Sequence, residues 1–395
     1  MQNKKSLIII ASAVSFPYGN ASDNAIYTFI DGFQERGCNG EVVCLYPNMP
    51  KSYEGISADG EYKGVKYSFL SKRVHPKKNI FLHILDFWIY PIFLFFKYIR
   101  AKSKSYKLNV LFVDHVSFLF FIQTLICKLF RAKVTLISCE YPMYLTKHPN
   151  SVSLYRFYSR YIDKYVFETK TLEDFEKKQL NKEIRSIVIP ATMPFDDIVG
   201  CPKDLSEVYI AYSGSIFSDT KDGLSNIIKA FKLFSSQNPH VGLRFIGRIA
   251  NKLFYEELLQ LVEELQLSDK VKFTGEVNRT DYVHQMNNAS LMIVAKPKDS
   301  YYVGGLSSKV IEYLFSGNPI IMTAADDYVH YLTHKENVYF TKDNSPEELS
   351  EAMLDVFSDN DLRLRIAHNG KKYAMENFNY HVTTGRMLEF ILKES

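Results

Sequence analysis

The sequence predicts an α/β protein made of two doubly wound parallel sheets. Three observations point there. Short apolar runs alternate with stretches of helical periodicity along the whole chain. The alternation stops once, at 190–206, where Pro190, Pro194, Gly200 and Pro202 stand among acidic residues, and then restarts. At 395 residues the chain is long enough for two separate cores.

The first strand is expected over 6–12. The loop SFPYGNASDN follows, and Ser22 or Asp23 can cap a helix whose apolar stripe is Ala25, Phe29, Ile30 and Phe33. Gly37 ends that helix and a strand follows at 41–45. A glycine thus stands where the first strand passes to the first helix, where doubly wound sheets bind ligands; the dinucleotide fingerprint GxGxxG is absent. Further strands are expected at 65–70, 108–113, 134–138, 164–168 and 185–189, with helices at 117–130, 151–162 and from 172. Beyond the linker, a strand at 208–212 ends at Ser213-Gly214-Ser215, one at 242–246 ends at Gly247, and one at 271–274 ends at Gly275. Helical patterns alternate with them, a strand at 291–295 follows, and three helices close the chain at 346–357, 361–377 and 380–392.

Composition excludes several classes. A net charge of +4 does not suggest a nucleic-acid binder. The 5 cysteines are scattered with no CxxC, which fits a reducing cytoplasm and argues against a disulfide framework or a thiolate metal site. Lys4 and Lys5 precede an apolar run too short for a secretory leader, so it reads as a strand. The aromatic count is high, with 29 Phe and 27 Tyr. It concentrates in IFLHILDFWIYPIFLFFKYI at 80–99, which His83, Asp86 and Pro91 interrupt as a membrane span. Basic residues surround it, from Lys72 to Arg100. Three readings stay open: a single-pass anchor, contact with a membrane interface through 72–100, or a buried helix behind a basic loop.

The stretch 299–323, DSYYVGGLSSKVIEYLFSGNPIIMT, organises the second half. Gly304 and Gly305 allow close backbone approach, Ser307 and Ser308 can cap a helix, and Gly317 stops it. Val310, Ile311, Leu314 and Phe315 share one face; Ser308, Glu312 and Ser316 share another, with Lys309 one turn from Glu312. A helix N-terminus behind a glycine loop, with hydroxyls and a lysine, suits a phosphate. A carboxylate one turn further in can accept hydrogen bonds from a ribose.

Here the pattern becomes specific. YSGSIFSDTKDGLSNIIKAF, LRFIG, VKFTGEV, YVHQMNNASLMIV and above all SSKVIEYLFSGNPIIMT resemble, in order and spacing, the donor domain of retaining glycosyltransferases of family 4, "glycosyl transferases group 1". The loop FPYGNASDNAIYTFIDGFQERG resembles the same family's acceptor-domain loop; the remaining first half agrees only in architecture. The resemblance implies the GT-B fold: two Rossmann-like domains facing a central cleft, an acceptor domain at 1–195, a donor domain at 196–378 and a helix at 379–395 crossing back. It implies a nucleotide-diphosphate sugar, a UDP- or GDP-sugar, as donor and a saccharide acceptor in surface polysaccharide synthesis in the cytoplasm; the basic and aromatic segment from Lys72 to Arg100 adds the expectation of a lipid-linked acceptor and of peripheral contact with the inner face of the cell membrane.

Residue by residue, Glu312 matches the family's ribose-binding glutamate, and Gly305, Ser307, Ser308 and Lys309 match the loop and helix start near the diphosphate. Gly214 and Ser215 fall on the family's first donor-domain loop, and Lys221 on its phosphate-facing lysine. Gly19 matches a glycine near the diphosphate, His115 a histidine near the donor sugar, and Asn20 and Glu140 fall on the acceptor side. Two positions depart from the family: the first of its paired glutamates falls at Gly304, and a common arginine falls at Ser215. His115 and Lys221 are the expected catalytic groups. The second half has no DxD-like motif at a strand end, so no cofactor and no required metal is expected. A nucleotide-sugar epimerase and a non-catalytic nucleotide-sugar-binding subunit are the alternatives.

Overall fold

β1 (Ser6–Ser12) is buried along nearly its whole length because it pairs on both edges and is covered on both faces. The computed structural model describes residues 4–393 apart from 14–15, 18–20, 50–54, 77–78, 114–116, 140–150, 192, 205, 299–305 and 325–326. The chain divides into Met1–Pro194 with Tyr380–Ser395, and Phe195–Asn379.

The first unit continues with α1 (Ala21–Gln34), β2 (Asn39–Cys44), β3 (Asp59–Tyr62), β4 (Val65–Phe69), α2 (Ile80–Ile84), α3 (Tyr90–Ser103), β5 (Lys107–Val113) and α4 (Phe118–Leu129). β6 (Lys133–Ser138), α5 (Ser151–Tyr158), β7 (Lys164–Phe167), α6 (Lys170–Leu180) and β8 (Ser186–Val188) follow. The sheet order is β3-β4-β2-β1-β5-β6-β7-β8, parallel except for the β3–β4 pair. Strand order therefore reverses between β1 and β5.

Three features were not legible beforehand. β3 is a polar, mostly exposed edge strand with no apolar period to reveal it. It turns into β4 through Lys63 and Gly64, whose φ values of 48° and 83° have the sign that a tight hairpin turn requires. The segment from Ile80 to Ser103 is helical throughout, because a π turn at Leu85–Ile89 carries the chain past Pro91. There the Tyr90 N–H donates to Leu85 O, five residues back.

The C-terminal helix Tyr380–Leu392 packs on α1 of this unit. Gly32 makes room for it: a Cβ there would lie 2.1 Å from Thr384 Oγ1. The Tyr380 hydroxyl donates to Asp31 at 3.1 Å, and the buried Lys164 ammonium donates to the carbonyls of Ile391 and Lys393 at 2.6 and 2.8 Å.

The second unit holds α7 (Asp196–Val199), β9 (Tyr209–Ser213), α8 (Asp219–Asp222), α9 (Leu224–Ser235), β10 (Gly242–Ile246), α10 (Lys252–Glu264) and β11 (Val271–Phe273). It continues with α11 (Arg279–Asn287), β12 (Leu291–Val294), α12 (Ser308–Ser316), β13 (Ile320–Thr323), β14 (Tyr339–Thr341), α13 (Pro346–Ser358) and α14 (Asn360–Asn377). Its parallel order is β11-β10-β9-β12-β13-β14, so the reversal falls between β9 and β12. α7 lies within the expected linker, and β14 is a three-residue edge strand too short to carry a period.

Replacing Gly32 with valine is expected to overpack the α1 contact and to destabilise the first unit by about 1–3 kcal/mol. Urea unfolding followed by limited proteolysis at the C-terminal helix checks this; unchanged protection of that helix contradicts the packing role.

Candidate active site

The carboxyl end of β9 is where the second unit concentrates its polar chemistry. In an open parallel sheet, neighbouring loops diverge at the reversal of strand order and leave a crevice. Here the crevice is bordered by the loop after β9 and the start of α12. Two glycines let the backbone close up around it. Gly247, with φ 143°, lies so near β9 that a Cβ would sit 2.3 Å from Gly214 O. Gly223, with φ 64°, would place its Cβ 2.3 Å from Ala295 O, just past β12.

Glu312 lies one turn into α12 and is held at both carboxylate oxygens. Tyr282 Oη donates to Oε2 at 2.6 Å and Arg279 Nη1 donates to Oε1 at 2.5 Å. Both donors come from α11. Arg279 also grips Asp197 of α7 through Nε at 2.6 Å and Nη2 at 3.1 Å. Burial opposes the Arg279 charge, but Asp197 and Glu312 more than offset it and raise its pKa. Burial first, then the Glu312 carboxylate, pushes the Tyr282 phenol well above its ordinary range, so it remains a donor. Tyr282 Oη lies 3.1 Å from Ser213 Oγ, which lies 2.9 Å from Tyr313 Oη. The Ser213 N–H also donates to Tyr313 Oη at 2.7 Å. Glu312 is thus tied, through the Tyr282 phenol, to Ser213, the last residue of β9, which Tyr313 holds from its other side.

Lys309 faces the other side of the same strand end. Its Nζ donates to Asp222 Oδ1 at 2.8 Å and to Tyr212 Oη at 3.0 Å, and Tyr212 donates to Asp222 Oδ2 at 2.8 Å. The side chains of Lys309 and Asp222 are only 17% and 8% exposed. Although Lys309 and Glu312 lie one turn apart on α12, each pairs elsewhere: Glu312 with Arg279, and Lys309 with Asp222. Lys221, half-buried on α8, precedes Asp222.

Ser307 occupies the N-cap position of α12 but its hydroxyl does not cap; its carbonyl accepts from Tyr328 Oη at 2.7 Å. Gly317, with φ 67°, terminates the helix as expected. Ser215 Oγ accepts from Arg248 Nε at 3.2 Å, and the Ile216 N–H fixes the Arg248 backbone at 3.0 Å. Among the described residues Arg248 makes no ion pair. It lines a cavity of about 670 Å³ with Phe217, Ile249, Ala250, Gly275 and Glu276, beyond β10 and β11.

Of the expected site residues, Gly214, Ser215, Ser307, Ser308, Lys309 and Glu312 gather around the ends of β9 and α12, with Lys221 beside Asp222. Gly19, Asn20, His115, Glu140 and Gly305 lie outside the described residues, as does Gly304. Gly19 and His115 follow β1 and β5, the two strands at which the first sheet reverses. Sequence reasoning missed Arg248, Arg279, Tyr282 and Asp222. Asp222 adjoins a named lysine, and Arg248 follows a strand-end glycine; those positions were the available signals.

Two parallel-sheet Rossmann-like units are the architecture of the GT-B fold, which glycosyltransferases adopt. More particularly, residues 201–373 match the family model of glycosyl transferases group 1, and the second unit carries that domain. An uncharacterized glycosyltransferase of Methanocaldococcus jannaschii is 25% identical over 381 residues, spanning 89% of this chain and 91% of the relative. Among solved structures, Anabaena HepE in complex with UDP aligns with a TM-score of 0.71 at 15% identity, covering 98% of each chain. WaaG, a glycosyltransferase involved in lipopolysaccharide biosynthesis, aligns at 0.62 with 15% identity, covering 98% of this chain and 100% of its own. These structural likenesses establish the fold.

Asp222→Ala removes the carboxylate that pairs with the largely buried Lys309 ammonium and is expected to destabilise the second unit by about 3 kcal/mol. Adding Lys309→Met is expected to recover most of that loss. Urea denaturation of the two single variants and the double variant checks it; additive losses contradict a coupled pair.

Proposed function

We propose that this glycosyltransferase is a retaining enzyme that moves a sugar from a nucleotide-diphosphate sugar, a UDP- or GDP-sugar, to a saccharide or lipid-linked acceptor in surface polysaccharide synthesis. The observation that carries the donor reading is Glu312, presented at a strand-end crevice with its carboxylate oriented by Tyr282 and Arg279. Each carboxylate oxygen can accept more than one hydrogen bond, so ribose hydroxyls can join the existing donors. HepE, solved with UDP and with UDP-glucose, supports a uridine donor, and WaaG supports a role in surface polysaccharide.

The diphosphate needs cations as charge builds on the leaving group. Asp222 neutralises much of the Lys309 field, so Lys309 acts mainly by shaping the strand end. Arg248 carries a charge without an acidic partner among the described residues and stands on Ser215, the position where the resembling family commonly has arginine. Ser213, bonded toward Glu312, and Ser215, bonded to Arg248, are two residues apart, roughly 7 Å in an extended chain. That spacing suits a ribose at one end and a phosphate at the other. Lys221 and the α12 N-terminus with Gly305, Ser307 and Ser308 complete the phosphate side. His115 serves the donor sugar, Gly19 the diphosphate, and Asn20 and Glu140 the acceptor. The donor phosphate itself can take the acceptor proton in a front-face reaction, which removes the need for a separate base. The protein works on the inner face of the cell membrane, with peripheral contact through 72–100.

A thermal-shift screen of UDP-, GDP-, ADP- and CMP-sugars identifies the donor, and titration calorimetry with the matching nucleoside diphosphate tests the site. Glu312→Ala is expected to weaken binding by about 1–3 kcal/mol. Arg248→Ala is expected to weaken the diphosphate by roughly tenfold while leaving the bare nucleoside unchanged. Equal loss for nucleoside and diphosphate would remove Arg248 from the phosphate side, and unchanged heats for Glu312→Ala would sink the ribose assignment.

A further inference from the structure

The stretch from Ile80 to Ser103 is 24 residues of helix, long and apolar enough to cross a membrane, yet it does not stand alone. Its inner face belongs to the first unit: Phe95 and Ile99 are buried in the core against the sheet, and Asp86 is fully buried and paired with Arg73. A segment so anchored lies on its unit and presents the opposite face outward. That outward face is apolar: Phe81, Ile84, Trp88 and Phe93 are all exposed, Trp88 by 57%.

The apolar surface continues onto two neighbouring helices. α3 lies beside α4, with the Phe96 and Phe130 rings 5.3 Å apart and Gln123 Nε2 donating to Pro91 O at 3.1 Å. α4 lies beside α5, with Phe121 stacked on Tyr158 at 4.6 Å. α4 exposes Phe118, Leu125 and Leu129, the last by 68%, and α5 exposes Leu154 by 56% and Phe157. Side chains one or two turns apart on each helix form these outward stripes.

Charge selects the occupant. Across α2, the π turn, α3, α4 and α5 the sequence holds one acidic residue, the buried Asp86. The exposed charges beside the stripes are cationic. The Lys97 ammonium lies 4.3 Å over the Phe93 ring and the Arg160 guanidinium 5.7 Å over the Phe157 ring, while Arg100 and Arg131 are exposed nearby in sequence. Amphipathic side chains of this kind bury aromatic surface at the acyl boundary and keep their charge among headgroups.

We propose that α2–α3, α4 and α5 form one docking platform for an anionic lipid bilayer, lying in the interface plane without crossing it. This widens the contact at 72–100 under the proposed function to three helices and commits it to a lipid surface. It also gives a physical reason for an acceptor carried on lipid. Glu312 and Arg248, which carry the ribose and diphosphate reading, are in the other unit, so nucleoside diphosphate binding can be measured separately.

Trp88 is the only tryptophan of the chain, so its emission reports on the platform directly. On mixing the full chain with vesicles of phosphatidylcholine and phosphatidylglycerol at low salt, Trp88 emission is expected to shift to the blue and to become protected from acrylamide. Flotation is expected to be at least about tenfold stronger than with phosphatidylcholine alone. Phe93→Glu, Leu129→Glu and Leu154→Glu, each at an exposed position, are expected to cut flotation by roughly tenfold apiece while nucleoside diphosphate titration stays unchanged. No blue shift with anionic vesicles overturns the proposal. So does a blue shift that grows with protein concentration without vesicles, which assigns the face to a second copy of the chain. Loss with Phe93→Glu alone overturns the three-helix platform, and equal flotation on neutral vesicles overturns the choice of an anionic surface. Absence of nucleotide heats in the wild-type protein together with an anionic-vesicle blue shift overturns the donor reading alone and supports the platform.

Discussion

A parallel sheet wound outward in both directions from its middle must reverse strand order somewhere, and loops leaving the two strands at that point run apart. The second unit meets this constraint between β9 and β12. The polar groups of the site are arranged around it. Gly214 and Gly247 bring the ends of β9 and β10 into backbone contact, and Gly223 does the same between the loops after β9 and β12. With those loops pulled close, Ser213 reaches the phenols of Tyr282 and Tyr313 on one side, while Ser215 reaches Arg248 on the other. A one-residue slip of β9 would reverse which side chains face the sheet and would dismantle both connections.

Charge within the unit is distributed by burial. Lys309 and Asp222 are both largely removed from water, and each needs the other; Tyr212 satisfies them both. Removing either partner takes away the opposite charge that the other is packed against, so the pair helps to hold the end of β9 to the start of α12. Glu312 is also paired, and its oxygens retain acceptor positions beyond the two that Tyr282 and Arg279 fill. Arg248 stands on the exposed rim, where its charge costs little to hold and is open to a partner.

Much of the architecture could be read along the chain. Strands buried on both faces read as continuous apolar runs, which is why β1, β5, β6 and β9 were legible from residue order. β3 was not, since an edge strand facing water needs no apolar face; β14 was not, since three residues carry no period. Glu312, Lys309 and the helix carrying them stood out because the capping serines, the helical spacing and Gly317 all lie within one short segment. Arg279, Tyr282, Asp222 and Arg248 stood out much less, because what makes them matter is a partner far away in sequence: Arg279 meets Asp197 across 82 residues and Lys309 meets Asp222 across 87.

The aromatic segment at 80–99 makes the same distinction for the first unit. Composition alone left it between core, interface and anchor. Packing divides its two faces, committing Phe95 and Ile99 to the sheet and leaving Trp88 and Phe93 outward beside the apolar stripes of two further helices. The sequence by itself determined the alternation of strand and helix, the two-sheet class and the segment bearing Glu312, because hydrophobic period, caps and turn residues are local signals. Tertiary structure alone decided which charges are spent on each other and which remain available, because ion pairing and exposure depend on residues that only folding brings within a few ångströms.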